Sequence, residues 1–152
     1  MRQRFTAHPA DPASGELAGR TADIARIFSL PSVREIVAAL EADDSSRAGD
    51  TVAVLRKRSP LMLHVSLRLV REARKLSLAD ELRLERDLVR HAFHLRPGTA
   101  SETMEGIRAL VVDKDQSPRW KPARIEDVTP EMVDAFFVSP SPKHAHPLRA
   151  LN

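Results

Sequence analysis

The sequence predicts an all-α fold, a bundle of about six short amphipathic helices, and three observations predict it. Apolar residues recur at three- and four-residue spacing in one segment after another, the period of a helix with one buried face. Aromatic residues make up only 4% of the chain, which leaves the core to Leu, Val, Ile and Ala and suits helix packing better than a β-sandwich. Hydroxyl residues that can cap a helix stand before several of the apolar segments. Apart from an extended reading of residues 110–112, no segment alternates with period two, and there is no internal repeat.

Residues 1–15 are rich in Pro, Ala and Ser and are expected to form a flexible lead-in. The helical region spans 16–139. Leu17, Ile24, Ile27 and Phe28 form the first apolar stripe. Ser32 and Glu35 make a capping box, after which Val33, Ile36, Val37 and Leu40 follow at helical spacing. The polar stretch 43–50 ends that helix. A third carries Val52, Val54 and Leu55 and stops at Arg56, Lys57 and Arg58, where cations suit a helix C-terminus. Ser59 and Pro60 restart the chain as N-cap and first helical residue, with Leu61, Val65, Leu67, Leu69 and Val70 on the expected buried side. Ser77, Asp80 and Glu81 open the next helix, whose apolar residues are Leu78, Leu82, Leu88, Val89 and Phe93. Arg96, Pro97 and Gly98 end it. A shorter helix starts near Ser101 and holds Met104, Ile107 and Leu110. Thr129, Pro130 and Glu131 begin a final turn or two with Met132, Val133, Phe136 and Phe137. Residues 140–152 are expected to be a flexible tail.

At 152 residues the chain is one domain's worth, or a piece of a larger one. Cysteine is absent, so there is no disulfide framework, thiolate nucleophile or Cys-based zinc site; a reducing compartment follows, with the cytoplasm as the default. The net charge of +3 comes from arginines interleaved with acids, which reads as solvated helix faces and argues against a nucleic-acid partner. No apolar run is long enough to span a bilayer, and the N-terminus lacks the apolar core of a secretory signal.

The most informative segment is 105–122, EGIRALVVDKDQSPRWKP. The chain's only tryptophan, Trp120, lies there between Pro118 and Pro122. Prolines preset φ and lower the entropy lost on ordering, so the segment reads as rigid and docked, with Trp120 as a packing anchor rather than the lid of a pocket. Glu105 is placed to support the helix or pair with Arg108 three residues on. The segment resembles the C-terminal signature of the 3-hydroxyisobutyryl-CoA hydrolases, in the enoyl-CoA hydratase/isomerase (crotonase) superfamily. IARIFSLPSVREIVAALEAD at 24–43, LRKRSPLMLHVSLR at 55–68 and LADELRLERDLVRHAF at 78–93 are similar to further elements of that family, in order. Leu84 and Arg86 stand where the family commonly has Met and Tyr. The likeness covers roughly residues 16–139.

The resemblance implies the helical C-terminal region of such a protein without its β-rich core. In the family that core lies upstream, supplies two backbone N–H groups as an oxyanion hole, and carries the acidic residues that activate the attacking group. Five scattered glycines, Gly15, Gly19, Gly49, Gly98 and Gly106, build no such backbone cluster, so no catalytic residue is assigned. The implied function is acyl-CoA thioester hydrolysis in valine catabolism, with the chain expected to be a fragment inactive alone. The alternatives are an enoyl-CoA hydratase/isomerase family protein or a helical module that docks onto a separate crotonase core. Acyl-CoA is a substrate here, and no cofactor is implied. By the same resemblance Lys114 matches a basic position near the CoA phosphates, with Arg108, Arg119 and Lys121 as weaker neighbours; the competing reading pairs Lys114 with Asp113 or Asp115.

Other groupings carry less. Asp87, His91 and His94 share one helix face at metal-ligand spacing, but the nearby Arg86, Arg90 and Arg96 favour a solvated basic face. His64 reads as a structural histidine on an apolar face; His144 and His146 fall in the tail without a specific role. Helices parted from a larger body should leave apolar stripes in the open, with Leu and Val exposed on at least two helices and a tendency to self-associate.

Overall fold

The computed structural model describes residues 18–151; the lead-in 1–15 and Leu17 lie outside them. Seven α-helices follow one another: α1 (Thr21–Phe28), α2 (Val33–Glu41), α3 (Ser46–Leu55), α4 (Pro60–Ala73), α5 (Leu78–His94), α6 (Glu102–Ile107) and α7 (Pro130–Asp134). There is no strand among the described residues. The all-α expectation holds, with the seventh helix supplied by the final turn at Thr129.

Side-chain caps set the starts. Ser32, Ser59, Ser77, Ser101 and Thr129 each accept the N–H three residues on, at the heads of α2, α4, α5, α6 and α7. Each satisfies a backbone donor that has no partner inside its helix. Ser45 does the same for α3, so that helix begins inside the polar stretch 43–50. Asp43 accepts the Ser45 N–H, and buried Ala48 packs the polar turn against Ile27, Ile36 and Leu40.

Three apolar clusters hold the bundle. Ile27, Ile36, Leu40 and Ala48 join α1, α2 and α3. Val33, Val37 and Ile125 tie α2 to the 3-10 turn Ile125–Asp127. Leu61, Val65, Leu88, Val128, Val133 and Phe136 join α4, α5 and α7. Helix α4 bridges all three, because Leu61 and Val65 face the last cluster while Leu67 reaches the other two.

Four expectations change. Residues 110–112 are not extended; they belong to a π-helical turn, Arg108–Val112. The Asp113 N–H bonds back to the Arg108 carbonyl at 2.8 Å and keeps the chain coiled. Helix α5 buries Asp87, Leu88 and His91 and exposes Leu78, Leu82, Val89 and Phe93. The Asp87–His91 side is therefore packed instead of solvated, while His94 is exposed. Val70 on α4 also points outward. Residues 140–151, from the stretch expected as a free tail, lie along α5. His146 is 5% exposed; its Nδ1 accepts the Leu148 N–H, which leaves Nε2 to face Asp87 Oδ1 at 3.2 Å. Arg83 donates to the carbonyls of Leu148 and Leu151. The partners of Asp87 and His91 lie more than forty residues downstream, out of reach of a local pattern. The expected exposure of Leu and Val is present on α3, α4 and α5, at Val54, Val70, Leu78 and Val89.

Candidate functional site around Arg108

The segment 105–122 folds around one guanidinium. Arg108 follows α6 and opens the π-helical turn, whose wider coil brings the following loop back towards it. Its Nε and Nη2 bond Glu105 at 2.8–3.1 Å, and Nη1 bonds Asp113 at 2.6 Å and Asp115 at 2.8 Å. Nη2 also donates to the Ser117 carbonyl. A planar guanidinium can hold several oxygens in fixed directions, which an ammonium cannot. The expected Glu105–Arg108 pair is thus present and is the centre of a larger network.

Glu105 is 3% exposed and accepts one further bond, from the Arg119 N–H at 2.6 Å. The Arg108 hydrogen bonds, then the Arg119 N–H, hold its pKa down to about 2 from an ordinary 4.5. Arg108 holds Asp115 below the usual carboxylate range, with help from the Ser117 N–H. The carboxylates in turn raise the pKa of Arg108, Glu105 most. Glu105, Arg108 and Asp115 stay charged at neutral pH, which makes the network an ionic clasp.

The clasp closes the loop 113–117 with two residues in the left-handed region, Lys114 (φ 56) and Gln116 (φ 55). Few non-glycine residues adopt it; here the two flanking aspartates are fixed on Arg108, and the Gln116 N–H bonds the Ala109 carbonyl. Lys114 lies exposed between those aspartates, and no partner among the described residues holds its ammonium. Lys114 forms no ion pair with Asp113 or Asp115 in this structure, where Arg108 takes one oxygen of each.

Next to the loop is an open groove of about 400 Å³, lined by Arg56, Lys57, Gln116, Pro118, Arg119, Trp120 and Ala123. Arg56 is held by Glu41 and Glu126, whereas Lys57 and Arg119 form no ion pair among the described residues. Trp120 fastens this wall: its Nε1–H donates to the Lys57 carbonyl at 3.3 Å, and its ring packs over Gly106. It acts as the expected anchor. Arg108 faces inward and is not available to a ligand, while the Lys121 carbonyl is bound by Arg96.

A second polar knot escaped the sequence reading. Buried Glu102 takes bonds from the Ser59 hydroxyl and from Arg96, and Arg96 reaches on to the Lys121 carbonyl. It ties the starts of α4 and α6 to the end of α5. Only the caps Ser59 and Ser101 hinted at it. Among the described residues no three His, Cys, Asp or Glu side chains are grouped to hold a metal, and Asp87 and His91 are engaged by His146 and the Val138 carbonyl. His64 is half-buried; burial pushes its pKa down against the Ile125 backbone hydrogen bond.

Comparison with known proteins supports the motif. Residues 1–137 match the family model for enoyl-CoA hydratase/isomerase. The mitochondrial 3-hydroxyisobutyryl-CoA hydrolase of Gallus gallus is 42% identical over 116 residues, 73% of this chain and 28% of that protein. The probable 3-hydroxyisobutyryl-CoA hydrolase 2 of Arabidopsis thaliana is 39% identical over 118 residues, 75% of this chain and 31% of that protein. Among solved structures, an enoyl-CoA hydratase from Rhodobacter sphaeroides superposes with a TM-score of 0.74 at 32% identity, covering 83% of this chain and 36% of that one. A carnitinyl-CoA dehydratase from Mycobacterium thermoresistibile gives 0.70 at 36% identity, covering 84% and 35%. The chain spans about a third of the length of the curated relatives it matches.

Proposed function

The chain belongs to the enoyl-CoA hydratase/isomerase family, and from that premise we propose that it serves as the helical C-terminal part of a 3-hydroxyisobutyryl-CoA hydrolase-like protein. The reaction is hydrolysis of an acyl-CoA thioester, which in this reading is a step of valine catabolism. It requires a β-rich core with an oxyanion hole, a part for which the described residues offer no counterpart. This chain's contribution is binding and closure. The observation that carries the reading is the loop 113–117, clasped by Arg108 so that the unpaired Lys114 stands at its apex beside a groove bordered by Lys57 and Arg119. An unpaired ammonium on a clasped loop, whose Gln116 lines the same groove as Lys57 and Arg119, suits the phosphates of coenzyme A.

A hydratase or dehydratase reaction on a related acyl-CoA is the second reading, favoured by the names of the two solved structures. The groups that would select between the reactions belong to the core. No helix among the described residues is long and apolar enough to cross a membrane. A cysteine-free chain suits the cytoplasm; the mitochondrial matrix is the alternative, since several relatives are named mitochondrial.

The test is hydrolysis of 3-hydroxyisobutyryl-CoA by the purified chain, alone and mixed with the part of the Gallus gallus hydrolase that precedes the matched segment. We expect no turnover alone and turnover in the mixture. Lys114→Ala should raise KM for the acyl-CoA by about 3- to 10-fold with kcat unchanged, as loss of one charged phosphate contact predicts. Hydrolysis by the chain alone would refute the need for a core, and failure of the mixture to bind or turn over would refute the docking. An unchanged KM in the Lys114 variant would remove the phosphate contact.

A further inference from the structure

Helix α5 has an outer face that the fold leaves without a partner. At 100° per residue, Leu78, Leu82, Val89 and Phe93 fall within an arc of about 60°. They are 75%, 37%, 59% and 37% exposed, and an open groove of about 470 Å³ runs along Leu82, Val89 and Phe93. The opposite side of the helix carries the buried Asp87, Leu88 and His91. On the wheel Glu81 and Glu85 border the apolar stripe on one flank, and Arg86 and Arg90 border it on the other. The ion pairs of α5 among the described residues are Asp80–Arg83 and Asp87–His146, so all four flanking charges are unmatched. Burial and the adjacent Glu85 carboxylate raise the pKa of Glu81.

We propose that this face pairs with the same face of a second copy of the chain, the two α5 helices running parallel about a two-fold axis. In a parallel pair the acidic flank of each helix lies against the basic flank of the other. Glu81 and Glu85 of one copy then meet Arg86 and Arg90 of the second, at the five-residue offset that places flank charges together in parallel two-stranded coils. Leu82 and Val89 each meet their own counterparts across the axis, and Leu78 and Phe93 extend the contact at its ends. An antiparallel pair would set acid against acid and base against base, so the charge pattern selects the orientation as well as the partner. The contact is isologous and closes at two copies. This site is separate from the Arg108 loop, so its test can fail while the acyl-CoA reading stands.

Sedimentation equilibrium of the full 152-residue chain should show a dimer with Kd on the order of 10 μM, as suits a single small helix-pair interface. Val89→Glu, or the milder Leu82→Ser should the first disturb folding, should weaken it at least about 10-fold while leaving the melting temperature of dilute, monomeric protein unchanged. The pairs Glu81→Arg with Glu85→Arg, and Arg86→Glu with Arg90→Glu, should each be monomeric and should restore a heterodimer when mixed. Because the chain has no cysteine, Leu78→Cys reports orientation directly: oxidation should link parallel copies and leave antiparallel ones unlinked. A wild-type chain still monomeric at about 100 μM, or a dimer indifferent to Val89→Glu and Leu82→Ser, would overturn the proposal. So would binding of a relative's core through this face in place of a second copy.

Discussion

Glu105 shows how much one side chain can organise. Its carboxylate receives Arg108 and the Arg119 N–H while almost fully covered, so ionisation and loop closure are coupled. With a folded pKa of about 2 against an ordinary 4.5, the unfolded chain binds the proton more readily, and stability falls as pH drops through that window. The contribution is complete above about pH 4.5 and is lost as pH approaches 2. Glu105→Gln should therefore lower the melting temperature at pH 7 by on the order of 5 °C, with the gap to wild type narrowing as pH falls. A gap that stays constant from neutral to acid pH would show that the carboxylate's charge is not what holds the loop. The pair itself was legible, since Glu105 and Arg108 are three residues apart on a helix. Capture of Asp113 and Asp115 by the same guanidinium was not: it depends on the π-helical turn, which no spacing rule announces, and it is what frees Lys114.

At the scale of elements, helix starts were legible and helix faces only in part. The caps at Ser32, Ser59, Ser77 and Ser101 bond within three residues of themselves, so the local sequence contains the whole cause. The buried face of α5 depends on partners far along the chain, and there apolar spacing alone pointed to the outer side. Helix α6 offers a test of how tightly an element and its loop are fitted. Gly106 lies inside α6, where glycine costs roughly 0.5–1 kcal/mol relative to alanine. A Cβ built there would meet Trp120 Cη2 at 3.6 Å, an ordinary van der Waals contact. Gly106→Ala should thus raise stability by about 0.5–1 kcal/mol in denaturant titration, leaving the emission of the single tryptophan unchanged. Gly106→Leu has no such room and should displace the indole, shifting its emission. A destabilised alanine variant would mean that the ring needs the bare glycine surface.

For the whole molecule, the question is how a chain with modest apolar clusters and several exposed apolar faces keeps its long helix α5 in place. Inner contacts to α4 and to the 3-10 turn after α7 run through Leu88 and Phe136, and the downstream segment adds polar ties. His91 donates to the Val138 carbonyl at 2.8 Å and packs edge-on to Phe136. His146 covers Asp87, and Arg83 holds the carbonyls of Leu148 and Leu151. These contacts make residues 138–151 a strap along α5 rather than an appendage. His146→Ala would leave the Asp87 carboxylate, 7% exposed, without its imidazole partner, and an unsatisfied buried acceptor costs about 1–3 kcal/mol. We expect a loss of that size in chemical denaturation, together with faster proteolysis between Val138 and Leu148, because the strap would detach before the bundle opens. His146→Gln, which can still present a donor to Asp87, should recover part of the loss. Equal destabilisation by both variants would assign the strap to packing alone, and no destabilisation by either would show that α5 is held from its inner face and needs no strap.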